Sequence, residues 1–280
     1  MGFWEQLRGS AEQNNSILCV GLDPEISRLP TGLPRTAAGV LEFNRSIVAA
    51  TADLVCAYKP NLAFYEALGP EGIDVLRETR RLIPPGIPVI GDAKRGDIGN
   101  TARAYATALF DGIGFDAVTV NPYLGFDAVE PFLSYHDKGV LVVCRTSNPG
   151  SAEIQNLTVE YEGRRRPLYE VVALRVRSWN GHGNAGLVVG ATAPRELEEV
   201  RALTPELPIL IPAVGAQGGD IVSAARAHRR DSPAIVSASR AILYAGDGAD
   251  FAERSRQSAM ELRGALNAHV NDNGRRLSPR

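Results

Sequence analysis

The stretch Val89-Ile90-Gly91-Asp92-Ala93-Lys94-Arg95-Gly96-Asp97 begins as an apolar strand and ends as a charged loop. Side chains alternate between the two faces of a strand, so Asp92 and Lys94 are expected to share a face. Gly96 allows a sharp turn, and Asp97 follows just outside the strand. Burying charge is costly unless the charge is paired. This cluster at the end of a buried strand therefore indicates either a functional site or a structural ion pair that caps the strand.

Short, nearly continuous apolar runs predict eight strands along the chain. They lie at residues 16–23, 56–59, 88–94, 117–121, 139–145, 186–190, 208–214 and 234–240. Such runs are typical of parallel strands buried on both faces. Eight strand–helix units predict an α/β fold, a single TIM (β/α)8 barrel over residues 1–280 with a disordered polar tail at 271–280. The alternative is an open doubly wound sheet, but the turn after the first strand, Gly21–Glu25, lacks its glycine-rich fingerprint.

Helical patterns accompany these strands. They are predicted at residues 3–14, 36–53, 64–82, 100–110, 167–179 and 250–268, with Thr36 as the expected N-cap of the second helix. The segment from Thr146 to Arg166 is predicted to be a long loop, and loops of this length are usually functional.

Catalytic residues of TIM barrels lie at the carboxyl ends of the strands. Ionisable residues end four strands that would be neighbours in a closed barrel, namely Asp23, Lys59, Asp92 with Lys94, and Arg240. We expect them to line one mouth. Carboxylates beside Lys94 favour its ammonium form, which suits proton donation to a carbanion and disfavours an aldolase that uses a Schiff base. The loops 214–220 and 239–242 are expected to bind phosphate, with Arg240 holding its oxygens.

Composition excludes several classes of protein. The net charge of −2 provides no basic field for nucleic acid. Cys19, Cys56 and Cys144 lie in separate apolar runs, which indicates reduced thiols in a cytoplasmic protein and not a disulfide framework or a zinc site. We find no signal-peptide pattern, no apolar run long enough to span a membrane and no metal-ligand spacing among the histidines.

The run Asp92–Asp97 resembles the D-x-K-x-x-D signature of the orotidine 5′-phosphate decarboxylase family. Other segments are similar to the longer bacterial subfamily: Val20–Pro24, Tyr58–Glu66, Arg145–Gly150, Val214–Asp220 and Ser237–Arg240. The signature alone is shared with related sugar-phosphate enzymes. Its combination with the other segments, which extend from the first strand to the last, is specific.

The resemblance implies decarboxylation of orotidine 5′-phosphate to UMP, the last step of de novo pyrimidine biosynthesis, without a metal or other cofactor. It implies that Lys94 protonates C6 of the pyrimidine, with Lys59 and Asp92 completing the charged network. The implied substrate-binding residues are Asp23 for the ribose, Thr146, Ser147 or Asn148 for the base, Gln217 and Arg240 for the phosphate, and Ser239. It also implies a homodimer in which Asp97, with Thr101 beside it, reaches into the partner's site.

The sequence leaves two alternatives open. A metal-dependent sugar-phosphate decarboxylase or aldolase uses the same barrel, but such relatives would place acidic metal ligands where this chain has Lys59. A non-catalytic protein that binds a phosphoribosyl ligand would retain the phosphate site, but it has no use for alternating charges at the strand ends.

Overall fold

The computed structural model describes residues 2–214 and 220–271. Its strands are β1 (Leu18–Leu22), β2 (Ala57–Pro60), β3 (Ile90–Arg95), β4 (Ala117–Val120), β5 (Gly139–Arg145), β6 (Thr158–Tyr161), β7 (Arg164–Pro167), β8 (Ala185–Val189), β9 (Ile209–Pro212) and β10 (Ala234–Ala238).

The α-helices are α1 (Phe3–Gln13), α2 (Ala37–Thr51), α3 (Leu62–Glu66), α4 (Pro70–Leu82), α5 (Gly99–Thr107), α6 (Phe126–Leu133), α7 (Ala152–Gln155), α8 (Leu168–Trp179), α9 (Pro194–Leu203), α10 (Ile221–Arg226), α11 (Arg240–Leu243) and α12 (Phe251–Asn271). Short 3₁₀ turns lie at Ile26–Arg28, Ala52–Leu54 and Pro149–Ser151, and a π-helical turn at Ala108–Ile113 follows α5. As expected, Thr36 caps α2, and its side chain accepts a hydrogen bond from the amide of Gly39.

Eight of the strands form one parallel sheet in the order β2-β1-β10-β9-β8-β5-β4-β3. Backbone bridges between Tyr58 and Val89 and between Asn61 and Asp92 join the two edge strands and close the sheet. The fold is therefore the predicted TIM barrel. The remaining strands, β6 and β7, pair antiparallel outside it.

The barrel interior is apolar near the amino ends of the strands, which we call the closed end. One buried cluster there contains Cys19, Ala57, Ile90, Ala117, Leu141, Leu210 and Ile235. The amphipathic helix α1 covers this end with Phe3 and Leu7, which belong to the same cluster. A Cβ atom at Gly139 would lie 2.3 Å from the Phe3 ring, so the helix needs bare backbone at that position. The helices outside the barrel bury a second, larger cluster against the outer faces of the strands.

Two predicted elements were wrong. The helix at 64–82 is divided into α3 and α4, because Gly69 has a φ of 70° and Pro70, which has no amide N–H, starts the second helix. The predicted loop 146–166 contains α7 and the β6–β7 hairpin. Glu162 and Gly163 at its tip both have positive φ, as a two-residue hairpin turn requires.

The three cysteines are free and buried, as expected from their apolar surroundings. In the part of the chain that the structure describes, no helix has the length and apolar character needed to cross a membrane.

Candidate active site

Polar residues replace apolar ones at the carboxyl ends of the barrel strands, which we call the open end. Lys59, Asp92, Thr119 and Ser237 each lie two residues beyond an inward-facing residue of the closed end. Because strand side chains repeat every two residues, the same rows continue inward with polar groups. Lys59 and Thr119 are only 4% and 1% exposed.

Asp92 is the centre of the charged array. Its Oδ2 accepts a hydrogen bond from Lys59 Nζ at 3.0 Å, and its Oδ1 accepts one from Lys94 Nζ at 2.6 Å. Thr119 Oγ1 donates to the same Oδ1 at 2.9 Å. The side chains of Lys59 and Asp92 are 5% and 10% exposed, whereas that of Lys94 is 48% exposed. One ammonium is thus fixed inside the barrel, and the other is about half exposed to solvent.

Each charged group in this array favours the ionised form of its neighbours. Burial alone would raise the pKa of the Asp92 carboxyl, but the Lys59 and Lys94 ammonium groups outweigh it and hold that pKa well below its usual range. Burial would likewise lower the pKa of Lys59, but the carboxylates of Asp23 and Asp92 raise it above its usual value. Both groups of the buried pair are therefore ionised at neutral pH.

Simple strand alternation does not bring Lys94 to Asp92. Gly91 pairs with Val118 and Arg95 pairs with Val120, so β3 carries extra residues between two fixed points of β4. Lys94 also has a φ of 47°, in the left-handed region. The strand is bulged at this point, and bulges of this kind redirect side chains beside active sites. The predicted proximity holds, but the local geometry differs from the expected regular strand.

Asp23 lies in the loop directly after β1 and faces the same cavity. Its carboxylate accepts hydrogen bonds from the Asn61 amide at 3.1 Å and from Ser239 Oγ at 2.6 Å. Arg240 was expected to end the last strand, but it lies two residues beyond β10, as the first residue of α11. The cavity has a volume of about 220 Å³ and is lined by Asp23, Glu25, Lys59, Phe64, Asp92, Ser147, Pro212, Ala213, Val214, Ser237, Ser239 and Arg240.

The loop after β5 separates the three residues predicted to cover the base. Ser147 lines the cavity. Thr146 is turned toward Gln155, which accepts from its amide and donates to its hydroxyl, both at 2.8 Å. Asn148 accepts a hydrogen bond from the Thr146 hydroxyl at 2.7 Å. Of the three, Ser147 is the one positioned to contact a ligand in the cavity.

Two predicted site residues lie away from the charged array. The Asp97 carboxylate accepts a hydrogen bond from the amide of Ile98 at 2.8 Å. Thr101 is exposed in the first turn of α5. Neither is among the residues that line the cavity, and the same is true of Lys94, which belongs to the array through its ion pair with Asp92. Gln217, predicted to bind phosphate, lies outside the described residues.

Sequence reasoning missed Thr119 and Gln155. Thr119 carried a signal, because it is two residues beyond Ala117, an inward-facing residue of the same strand. The prediction from strand ends covers ionisable residues alone and so does not include this threonine. Gln155 had no such signal, since its contact with Thr146 depends on the path of the intervening loop.

The sequence matches a known protein family. A family sequence model described as orotidine 5′-phosphate decarboxylase / HUMPS family matches residues 16–255. The chain belongs to this family.

Curated members of the orotidine 5′-phosphate decarboxylase / HUMPS family resemble the chain over nearly its full length. The orotidine 5′-phosphate decarboxylase of Thermomicrobium roseum is 55% identical, with 95% of each chain covered. That of Dehalococcoides mccartyi is 52% identical, with 95% of this chain and 98% of the relative covered.

Solved structures of the family share the fold. The OMP decarboxylase of Leishmania donovani is 41% identical with a TM-score of 0.84, covering 97% of this chain and 99% of that one. The UMP synthase of the same organism is 43% identical with a TM-score of 0.86, and the match covers 96% of this chain and 57% of that longer protein.

Proposed function

We propose that this chain decarboxylates orotidine 5′-phosphate to UMP and CO2 without a metal or other cofactor, and that Lys94 is the proton donor. The observation that carries the proposal is the array Lys59–Asp92–Lys94, with its two nitrogen–oxygen distances of 3.0 and 2.6 Å. Lys59 and Asp92 line the cavity, and Lys94 is bonded to Asp92 with its side chain 48% exposed. The family membership supports the substrate.

The chemistry follows from the array. When the bond between C6 and the carboxylate carbon breaks, CO2 leaves and the electron pair remains on C6. Fixed cations stabilise that charge as it develops. The Lys94 ammonium then donates a proton to C6 and recovers one from solvent. Lys59, buried and bonded to Asp92, supplies a second fixed cation in the array.

The rest of the cavity suits the remainder of a nucleotide. Asp23, fixed by Asn61 and Ser239, is placed to accept a hydrogen bond from a ribose hydroxyl. Arg240 carries a guanidinium that can bind phosphate oxygens in a bidentate manner. Ser147 would contact the base. Binding energy from the phosphate, distant from C6, can then support events at the reacting carbon.

The test is turnover of orotidine 5′-phosphate, followed by its absorbance, in excess EDTA. The wild-type protein should remain active, and Lys94→Ala should lose at least about 100-fold in kcat. Lys138→Ala is the matched control, since Lys138 lies just before β5 at the closed end. Loss of wild-type activity in EDTA, restored by a divalent metal, would refute the cofactor-free chemistry. No turnover of orotidine 5′-phosphate by the folded protein, with turnover of a sugar phosphate once a divalent metal is added, would support the metal-dependent sugar-phosphate enzyme. A folded wild-type protein that binds UMP without turnover would support a binding protein.

We also infer a homodimer in which Asp97 and Thr101 reach the partner's cavity. Large apolar side chains are exposed around these residues, from the start of α5 to the start of α6. They are Ile98 (55%), Tyr105 (36%), Tyr123 (82%), Leu124 (48%) and Phe126 (46%). Helices α5 and α6 pack against each other, so these residues form neighbouring surfaces. Contiguous exposed apolar patches mark interaction surfaces, and a second copy of the chain fits this one.

Mixing two inactive variants tests the shared site. Asp97→Ala and Lys94→Ala proteins are combined under conditions that exchange subunits. Each hybrid dimer would contain one intact site, so equal mixing should restore about one quarter of wild-type activity. Absence of recovery, with exchange confirmed by tagged subunits, would refute the shared site and leave the decarboxylase proposal standing.

A further inference from the structure

The ladder between β3 and β4 is interrupted at the charged array. From Gly91 to Arg95 the chain advances four residues, while its partner β4 advances only two, from Val118 to Val120. A single residue of β4, Thr119, therefore faces the whole bulge. Interrupted ladders leave backbone donors that need other partners when they are buried.

The Thr119 side chain supplies such a partner. Its Oγ1 accepts a hydrogen bond from the Lys94 amide at 2.9 Å. The same hydroxyl donates its proton to Asp92 Oδ1 at 2.9 Å. A hydroxyl can donate and accept at once, whereas a methyl group of similar size can do neither. Thr119 is 1% exposed, so water does not readily replace these bonds.

We propose that Thr119 is a positioning residue for proton transfer by Lys94. Its hydroxyl holds the Lys94 backbone in the left-handed conformation, with a φ of 47°. It also orients Asp92 Oδ1, the oxygen that binds Lys94 Nζ at 2.6 Å. One side chain thus fixes both the backbone of the proton donor and the carboxylate that aims it. This inference rests on the proposed function of Lys94.

Two features make this support necessary. A left-handed conformation in a residue other than glycine is strained and persists only where its surroundings enforce it. The Lys94 side chain is also about half exposed, so little packing restrains it beyond its ion pair with Asp92. Thr119 is 1% exposed, and its hydroxyl is already bonded to the Lys94 amide and to Asp92 Oδ1. Its removal should therefore disturb the position of Lys94 without removing a contact to the substrate.

The experiment compares Thr119→Val, which keeps the shape and loses the hydroxyl, with Thr119→Ser, which keeps the hydroxyl. A misplacement of about 1 Å can cost about 100-fold in rate, so we expect kcat of the valine variant to fall by about that factor. KM should change by less than about threefold, and the serine variant should recover most of kcat. Thr204→Val is the matched control, a buried threonine bonded to Val200 O in the turn after α9, and should keep wild-type kcat.

Crystal structures of the variants provide a second measurement that does not depend on the reaction. The Lys94 φ and the Lys94 Nζ–Asp92 Oδ1 distance should change in the valine variant and remain in the serine variant. An unchanged Lys94 geometry and kcat in the valine variant would overturn the proposal, as would equal losses in the valine and serine variants. If the wild-type protein does not turn over orotidine 5′-phosphate, the proposed function fails, while the geometry still tests the role of Thr119. If Thr119→Val does not fold, Thr119→Cys, with a weak donor and acceptor, should lie below the serine variant in kcat.

Discussion

The two ends of the barrel are built from the same rows of inward-facing residues and differ in chemistry. At the closed end, Ala57, Ile90 and Ala117 join an apolar cluster that α1 covers. Two residues further along the same strands, Lys59 and Asp92 form a buried ion pair. A step of two residues therefore separates an apolar core from a charged site.

This difference shows how one barrel combines a stabilising apolar core with a charged site. Apolar packing at the closed end contributes stability and excludes water from beneath the charges. The charged layer is costly to bury and is held only because each group has partners of the opposite sign. Removing one charge should therefore lower the free energy of unfolding more than removing the pair. Removing apolar volume at the closed end should lower the free energy of unfolding and leave turnover unchanged.

Removing one charge from the charged layer should have the largest effect on the free energy of unfolding and on turnover. Asp92→Asn leaves the Lys59 ammonium buried beside a neutral amide, and breaking such a pair typically costs about 3–5 kcal/mol. We expect loss of that order in the free energy of unfolding, measured in urea, together with loss of turnover. The double variant Lys59→Met with Asp92→Leu makes this layer resemble the closed end. It should regain most of the stability and none of the activity. A double variant less stable than Asp92→Asn would contradict this view.

Weakening the closed end should affect stability alone. Leu7 is 1% exposed in the apolar cluster, and Leu7→Ala should lower the free energy of unfolding by about 3 kcal/mol through lost burial and a cavity. Because the open end is unchanged, kcat per folded molecule should stay at the wild-type value at a temperature below the lowered Tm. A fall in kcat with full folding would show that the two ends are coupled.

The stability of the charged layer should depend on pH. The pKa of Asp92 is depressed in the folded state, so its contribution is present above the usual aspartate range, about pH 4, and is lost as pH falls through the folded value. The pKa of Lys59 is raised, so its contribution is present below the usual lysine value, about 10.4, and is lost as pH rises through the folded value. Urea unfolding across pH should show both losses in the wild-type protein and neither in the Lys59→Met, Asp92→Leu variant. If the free energy of unfolding depends on pH in the same way in both proteins, the two losses do not come from Asp92 and Lys59.

Disturbing the loop after β5 should have the smallest effect. Gln155 holds Thr146 through two hydrogen bonds of 2.8 Å and so fixes the segment that places Ser147 at the cavity. Gln155→Ala should raise KM by about threefold to tenfold, with kcat and the free energy of unfolding changed little, because the bonds lie near the surface. Gln257→Ala, on the exposed face of α12, is the control and should leave KM unchanged. An unchanged KM in the Gln155 variant would show that the loop holds its position without this residue.

The barrel strands and the charged residues at the open end could be predicted from the sequence, because both follow from short-range patterns. Apolar runs predicted the barrel strands, and the ionisable residues that end them predicted Asp23, Lys59 and Asp92 at one cavity. The errors arose where the apolar pattern was weak or was interrupted by a local break such as Gly69 and Pro70. The hairpin β6–β7 is only two strands of four residues each and lies within a polar segment, so its apolar signal is weak.

Contacts between segments distant in the chain could not be predicted from the sequence. His136 and His182 are 46 residues apart, yet their rings stack with centroids 3.7 Å apart. Arg95, in the signature run, forms an ion pair with Glu66 of α3. Neither contact has a sequence signature, because each depends on how loops and helices pack around the closed barrel.

The sequence by itself determined the barrel and the residues at its charged mouth, because strand periodicity and strand ends are local properties of the chain. The tertiary structure decided how Lys94 reaches Asp92. That depends on a bulge in β3, a left-handed backbone at Lys94 and a hydroxyl on the neighbouring strand. These features arise only when β3 and β4 pair in one register, since the pairing determines which backbone groups lose their partners and which side chain replaces them.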